Sequence, residues 1–254
     1  MRLAVITIAF AMCATGIARA QVDPLPYVSI QASNIQYGEM LKSNLKGSYG
    51  SAARSSPRVA AARPTYAGLG NAAYFSRPAS SAGSSISFAY DSTPALRQAA
   101  ADGYVERASA SNAEAGRTIA REIARNDFSR IYAGIIAPFG FRSNDTADAI
   151  ASYTLLGWLI ATGSPDPTPG SARAVRNQVA QGLAGDPRFR DPRTRAELAE
   201  EMKLLFVTLH AGWQSARREG NLRTYSDGVA AMFKRFSGND LRAMRLTSEG
   251  FARG

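Results

Sequence analysis

Cysteine and histidine are almost absent from this 254-residue chain, with Cys13 and His210 the only examples. A lone histidine excludes a zincin, which needs two on one helix face. No Gly-x-Ser-x-Gly is present, so there is no nucleophile elbow for a hydrolase triad. No uninterrupted apolar run reaches the ~20 residues a membrane-spanning helix needs. Lysine is scarce too: Lys42, Lys46, Lys203 and Lys234 are the only ones, and arginine carries nearly all the positive charge. There is no internal repeat. No zinc-finger spacing or aromatic-interleaved basic motif accompanies the net charge of +10, so specific nucleic-acid binding is not expected.

What is present begins with an export signal. Arg2 supplies a positive start and Leu3 to Cys13 an uncharged apolar stretch. Ala18-Arg19-Ala20 places small residues before a cut between Ala20 and Gln21. Residues 1–20 therefore read as a signal peptide and the protein as exported, periplasmic or extracellular. A lipoprotein signal competes because Cys13 ends the apolar run, but Met12 stands where a small residue is wanted. Removing the signal takes away the only cysteine. The mature chain then has no disulfide, thiolate nucleophile or cysteine metal ligand. It also has no transmembrane span.

Residues 21–85 read as a low-complexity linker. From Ser43 to Ser85 the chain is mainly Ser, Ala, Gly, Arg and Pro, interrupted by Pro57, Pro64 and Pro78. Such a stretch offers too little apolar area to offset its ordering entropy, which predicts disorder. Tyr49, Tyr66, Tyr74 and Phe75 are scattered through it. Gly68-Leu69-Gly70-Asn71-Ala72-Ala73 mimics a dinucleotide fingerprint, but no strand precedes it. No cofactor is expected. Ile86, Phe88 and Tyr90 then alternate with smaller residues, as in a short extended segment.

Residues 86–254 predict an all-α domain, an irregular bundle of about seven helices. Thr93-Pro94 starts the first, and a second covers 112–125 with Ile119 and Ile123 on its apolar face. Asn126-Asp127 caps a third, with Phe128, Ile131, Ile135 and Ile136 inward. Ser143-Asn144-Asp145 caps a fourth, apolar nearly all round and so expected at the buried centre. A fifth carries Val175, Val179 and Leu183 at four-residue spacing. Asp191-Pro192 opens a long sixth, running to Glu219. Val229, Met232, Phe233 and Phe236 mark a seventh, and Asn239-Asp240 is read as the cap of a short last helix. No strand is expected beyond the segment at Phe88.

The run Ala137-Pro138-Phe139-Gly140-Phe141-Arg142-Ser143-Asn144-Asp145-Thr146-Ala147-Asp148-Ala149, with Tyr153, Trp158 and the ending Leu246-Thr247-Ser248-Glu249-Gly250-Phe251, resembles a family of exported bacterial proteins. These carry a helical domain of unknown function. The resemblance covers residues 86–254 and implies a helical fold; it brings no activity, cofactor or partner. Where an aromatic pair is expected in the fourth helix, this chain has Tyr153-Thr154.

Candidate chemistry is sparse. Asp145 and Asp148 sit at the start of the fourth helix, where the helix dipole stabilises carboxylates by about 0.3–1 kcal/mol each. A functional reading joins Asn144, Asp145, Asp148 and Tyr153 in a polar site at the mouth of the bundle. Two carboxylates without histidine would suit only a hard cation with further oxygen ligands, so no metal is expected. Asn144-Asp145-Thr146 is also a glycosylation sequon, relevant only in a host that uses it. Glu197, Glu200 and Glu201 could act with them in glycan cleavage, which needs two carboxylates about 5–9.5 Å apart; surface charge is the simpler reading. His210 reads as a partly buried structural residue, and Trp158 and Trp213 as core.

Arg117, Arg121 and Arg125 share a helix face. Arg188, Arg190, Arg193 and Arg195 form a second cluster, with Glu122, Asp186 and Asp191 near enough to neutralise part of each. Either set could dock phosphates or carboxylates. The expected partner is an envelope protein or an anionic envelope polymer, and the expected function that of a non-enzymatic binding module. The alternative is an envelope hydrolase acting on glycan or lipid through carboxylates of the fourth and sixth helices. No catalytic residue is assigned, and the sequence leaves the oligomeric state open.

Overall fold

The computed structural model describes residues 72–75, 78–79 and 86–253. The expected signal peptide, its expected cleavage site between Ala20 and Gln21 and most of the stretch read as linker lie outside the described residues. Seven α-helices occur among the described residues, as the sequence predicts: α1 (Pro94–Ser111), α2 (Ala113–Arg125), α3 (Phe128–Ile136), α4 (Thr146–Thr162), α5 (Pro169–Ala184), α6 (Pro192–Glu219) and α7 (Leu222–Ser237).

Side-chain caps start most of them. Thr93 accepts from the Leu96 N–H before α1, Asp127 from Arg130 before α3, and Thr168 from Ser171 before α5. Asp191 accepts from Arg193 and Thr194 before α6. Each satisfies amides that a helix start leaves unpaired, worth about 0.5–2 kcal/mol. Gly163, at φ 67°, ends α4 in the left-handed region that a side chain disfavours.

α4 is the axis of the fold. Fifteen of its residues are buried, and it packs against α5, α6 and α7. Its lack of one-sided amphipathicity follows from having neighbours around it. Gly157 lets α7 approach closely, since a Cβ there would collide with the Phe233 ring. α6 extends the arrangement by packing also on α1 and α3. The α1–α2 hairpin adds a smaller apolar cluster built on Tyr104, Ile119, Phe128 and Leu204. In α3 Phe128 and Ile136 are buried as expected and Tyr132, edge-on to Phe206, is buried with them, whereas Ile131 and Ile135 are only partly buried.

Two regions differ from the sequence reading. Asp240 starts no α-helix. A 3-10 turn, Leu241–Ala243, leads into an antiparallel hairpin of β1 (Met244–Thr247) and β2 (Gly250–Arg253). These strands have four residues each, too short for a period-two signal to stand out. Phe251 anchors the hairpin between Phe75 and Trp158. Part of the stretch read as linker is also packed. Residues Ala72–Phe75 form a 3-10 turn in which Tyr74 and Phe75 are buried. Tyr74 lies over Gly182 of α5, and its hydroxyl donates to Asp186 at 3.4 Å. The chain here supplies two aromatic rings and α5 supplies a glycine to receive one.

Trp158 ties the hairpin to the axis. Its Nε1–H donates to the Met244 carbonyl at 3.0 Å, and its ring lies 5.8 Å from that of Phe251. Trp158→Ala should lower stability by about 3–5 kcal/mol, read as a shift in the urea midpoint at constant slope. An unchanged midpoint would mean that α4 is not central.

Candidate functional site

The polar residues at the start of α4 form a buried ionic cluster. After α3, the 3-10 turn Ala137–Phe139 and Gly140 (φ 78°) redirect the chain so that Asp145 points inward. Asp145 is 0% exposed. Its Oδ1 accepts from the Ala147 and Asp148 amides at 3.0 and 3.2 Å, capping α4. Its Oδ2 accepts from the Phe88 amide at 3.0 Å and pairs with Arg142 at 2.7 Å and Arg176 at 3.3 Å.

Asp148 lies one turn into α4. Its Oδ2 pairs with Arg142 Nε at 2.7 Å and its Oδ1 with Arg176 Nε at 3.3 Å. Two carboxylates thus share two guanidiniums. Burial and the neighbouring Asp145 charge raise the Asp148 pKa, and Arg142 and Arg176 oppose that rise. Arg176, on α5, also donates to the Ile86 carbonyl at 2.6 Å.

The segment 86–90 closes over this cluster. Ala89 bridges Asp145, the Thr146 amide donates to the Phe88 carbonyl, and the Tyr90 amide donates to the Asn144 carbonyl. The Tyr90 hydroxyl reaches further, donating to Glu200 Oε1 of α6 at 3.0 Å. Glu200 is 0% and Lys203 1% exposed, and they pair at 2.8 Å. Lys203 Nζ donates to Asn144 Oδ1 at 3.3 Å. Desolvation pulls the Lys203 pKa down against the pull of Glu200, and pushes the Tyr90 hydroxyl above its usual range. Glu200 Oε2 is buried without a hydrogen-bond partner.

The structure sorts the sequence candidates. Asp145 and Asp148 come together, and Asn144 joins the cluster through Lys203. Tyr153 does not: its ring packs on Phe233 of α7, 5.0 Å away. Glu200 is an internal ion-pair partner rather than a surface charge. Glu197 pairs with Arg193 and Glu201 with Arg107. Sequence reasoning missed Arg142, Arg176, Lys203 and Tyr90; the i,i+3 spacing of Glu200 and Lys203 was the available signal. Among the described residues no group of His, Cys, Asp and Glu side chains is arranged to hold a metal ion, and no helix is long and apolar enough to cross a membrane.

The arginine clusters differ in part: in the second, two of the four arginines have a carboxylate partner among the described residues, and Arg190 is exposed without one. In the second, Arg188 pairs with Asp186 at 2.6 Å, Arg193 with Glu197 at 2.8 Å, and Arg195 donates to the Phe189 carbonyl at 2.9 Å. Arg117, Arg121 and Arg125 are exposed on α2, and among the described residues none has a carboxylate partner. Arg121 donates only to Thr118 Oγ1. Glu122, expected to offset this column, turns to Asn126 instead. Helical rise places the three about 6 Å apart along the axis.

A groove of 480 Å³ opens elsewhere, between β1 and the loop joining α4 to α5. Trp158, Pro165, Pro167 and Leu246 supply apolar walls, with Asp166, Thr168 and Ser248 at the rim.

No protein-family model, curated protein or solved structure matches this chain.

His210 is partly buried beside Phe206 and Trp213 and hydrogen-bonds Gln214 at 3.2 Å. Desolvation, then the nearby Arg217 charge, pulls its pKa down from 6.5 to about 4. The fold therefore favours neutral His210. That contribution is complete above the unfolded pKa near 6.5 and is lost as pH falls towards 4. His210→Gln should shrink the drop in urea midpoint between pH 7 and pH 4.5; an equal drop would assign the acid sensitivity to other groups. The raised Asp148 pKa acts oppositely, easing the folded state as pH falls. Asp145→Ala should cost about 3–5 kcal/mol, because it strips a partner from buried Arg176, and more than Asp148→Ala, which leaves the α4 cap in place. Equal losses in chemical denaturation would contradict that ranking.

Proposed function

We propose that this chain is an exported, non-enzymatic binding module whose α2 arginine column docks an anionic envelope partner. The observation that carries it is the contrast between arginines. Those at 142, 176, 188 and 193 are paired with carboxylates, whereas Arg117, Arg121 and Arg125 stand exposed in a row without one among the described residues. Guanidinium groups suit planar two-oxygen acceptors such as phosphate and carboxylate. The features of residues 1–20 support export, and the motif around 137–149 supports membership of the exported helical-domain family. A hydrolase acting through carboxylates of α4 and α6 has less support. Asp145, Asp148 and Glu200 are occupied by Arg142, Arg176 and Lys203 and do not line the groove.

Binding of the mature protein to a phosphate-bearing or carboxylate-bearing envelope polymer tests this. Exposed ion pairs contribute about 0.2–1 kcal/mol each, so replacing Arg117, Arg121 and Arg125 together by Gln should weaken binding by about threefold to a hundredfold. The loss should shrink as salt is raised. Replacing Arg188 and Arg193 by Gln should change affinity much less. Equal losses from both sets would reduce the effect to net charge and remove the case for a site on α2.

A further inference from the structure

α2 packs principally on α1. Gly116 brings the two helices close, since a Cβ there would meet Ser109. Ile119 is buried in the cluster around Tyr104, and Ile123 packs against it. The apolar face of α2 is therefore turned into the domain and covered there. Its outer face carries Ala113, Arg117, Arg121, Ala124 and Arg125, all exposed. That face offers no large apolar side chain; the one exposed among the described residues is Leu222, at the start of α7.

We propose, resting on the reading that the α2 arginines dock an anion, that this anion is the headgroup layer of an anionic lipid bilayer, with α2 lying flat on it. Shape favours this occupant. The three arginines stand in a row on an exposed helix face, and the groove beside β1 is lined by no α2 residue. A small ligand is held by concave walls that bury most of its surface. A convex row instead meets a plane at all three positions at once.

The chemistry of the helix sets the depth of the contact. An amphipathic helix at a bilayer ordinarily sinks its apolar face to the boundary of the acyl chains. In α2 that face is already packed on α1, so only the electrostatic part of such binding is left. The attachment is shallow, reversible and sensitive to salt. Each arginine close to an anionic surface strengthens it by about fivefold at low ionic strength. Glu114, exposed one turn before Arg117, is repelled by the same surface, as are the exposed Asp102 and Glu106 of α1.

Flotation of the chain beginning at Gln21 with lipid vesicles tests the proposal. Phosphatidylcholine vesicles holding roughly a third phosphatidylglycerol should carry the protein, and pure phosphatidylcholine vesicles far less. Replacing Arg117, Arg121 and Arg125 together by Gln should weaken attachment by about a hundredfold, and Glu114→Gln should strengthen it. Replacing the same three by Lys should keep most of the attachment, because the charge of the surface matters here more than the fork geometry of a guanidinium. All these side chains are exposed, so thermal melts by circular dichroism should match wild type. Equal vesicle attachment of wild type and the triple Gln variant would overturn the proposal. A parallel arm with soluble polyuronate and polyphosphate separates bilayer from polymer. Polymer binding that needs the three arginines, beside vesicle attachment that does not, would overturn the bilayer assignment and leave the anion-docking site standing. Loss in neither arm would remove both.

Discussion

The burial of the Asp145 carboxylate is the constraint on which the other contacts depend. A charge removed from water must be matched nearby or it neutralises. Here both oxygens are matched by the α4 amides, the Phe88 amide, Arg142 and Arg176. Those partners come from four parts of the chain: the segment before α1, the loop after α3, α4 itself and α5. One side chain therefore sets where the central helix begins, how the 86–90 segment lies and how α5 faces α4. A hydrophobic residue at that position could fill the volume but could not specify these directions.

The same logic divides the arginines of a strongly basic chain. Where a carboxylate lies within reach, guanidinium groups are paired with it, in the interior like Arg176 or at the surface like Arg193. On α2 the arginines at 117, 121 and 125 have no such partner among the described residues.

Much of the helical framework was legible in the residues. Thr93-Pro94, Asp127, Asp145 and Asp191-Pro192 are caps whose action is local, and each starts a helix where its sequence says. The all-round apolar character of α4 likewise announces its central place. The hairpin was not legible, because β1 and β2 are too short for periodicity to separate them from a turn. Nor was the docking of Tyr74 and Phe75, which depends on Gly182 about a hundred residues away. Of the candidate site, Asp145, Asp148 and Asn144 were identifiable as polar groups at a helix start. Their partners Arg176 and Lys203 lie on other helices, beyond the reach of a local pattern.

By itself the sequence determined the helix starts and stops, the apolar stripes and the all-helical class, because capping and periodicity act over a few residues. It also placed Arg117, Arg121 and Arg125 on one face, since four-residue spacing returns to the same side of a helix. Only the tertiary structure decided which charges are internal and which arginines are already engaged. Those outcomes depend on distances between segments far apart in the chain, and the electrostatics of a side chain changes completely with what is packed against it.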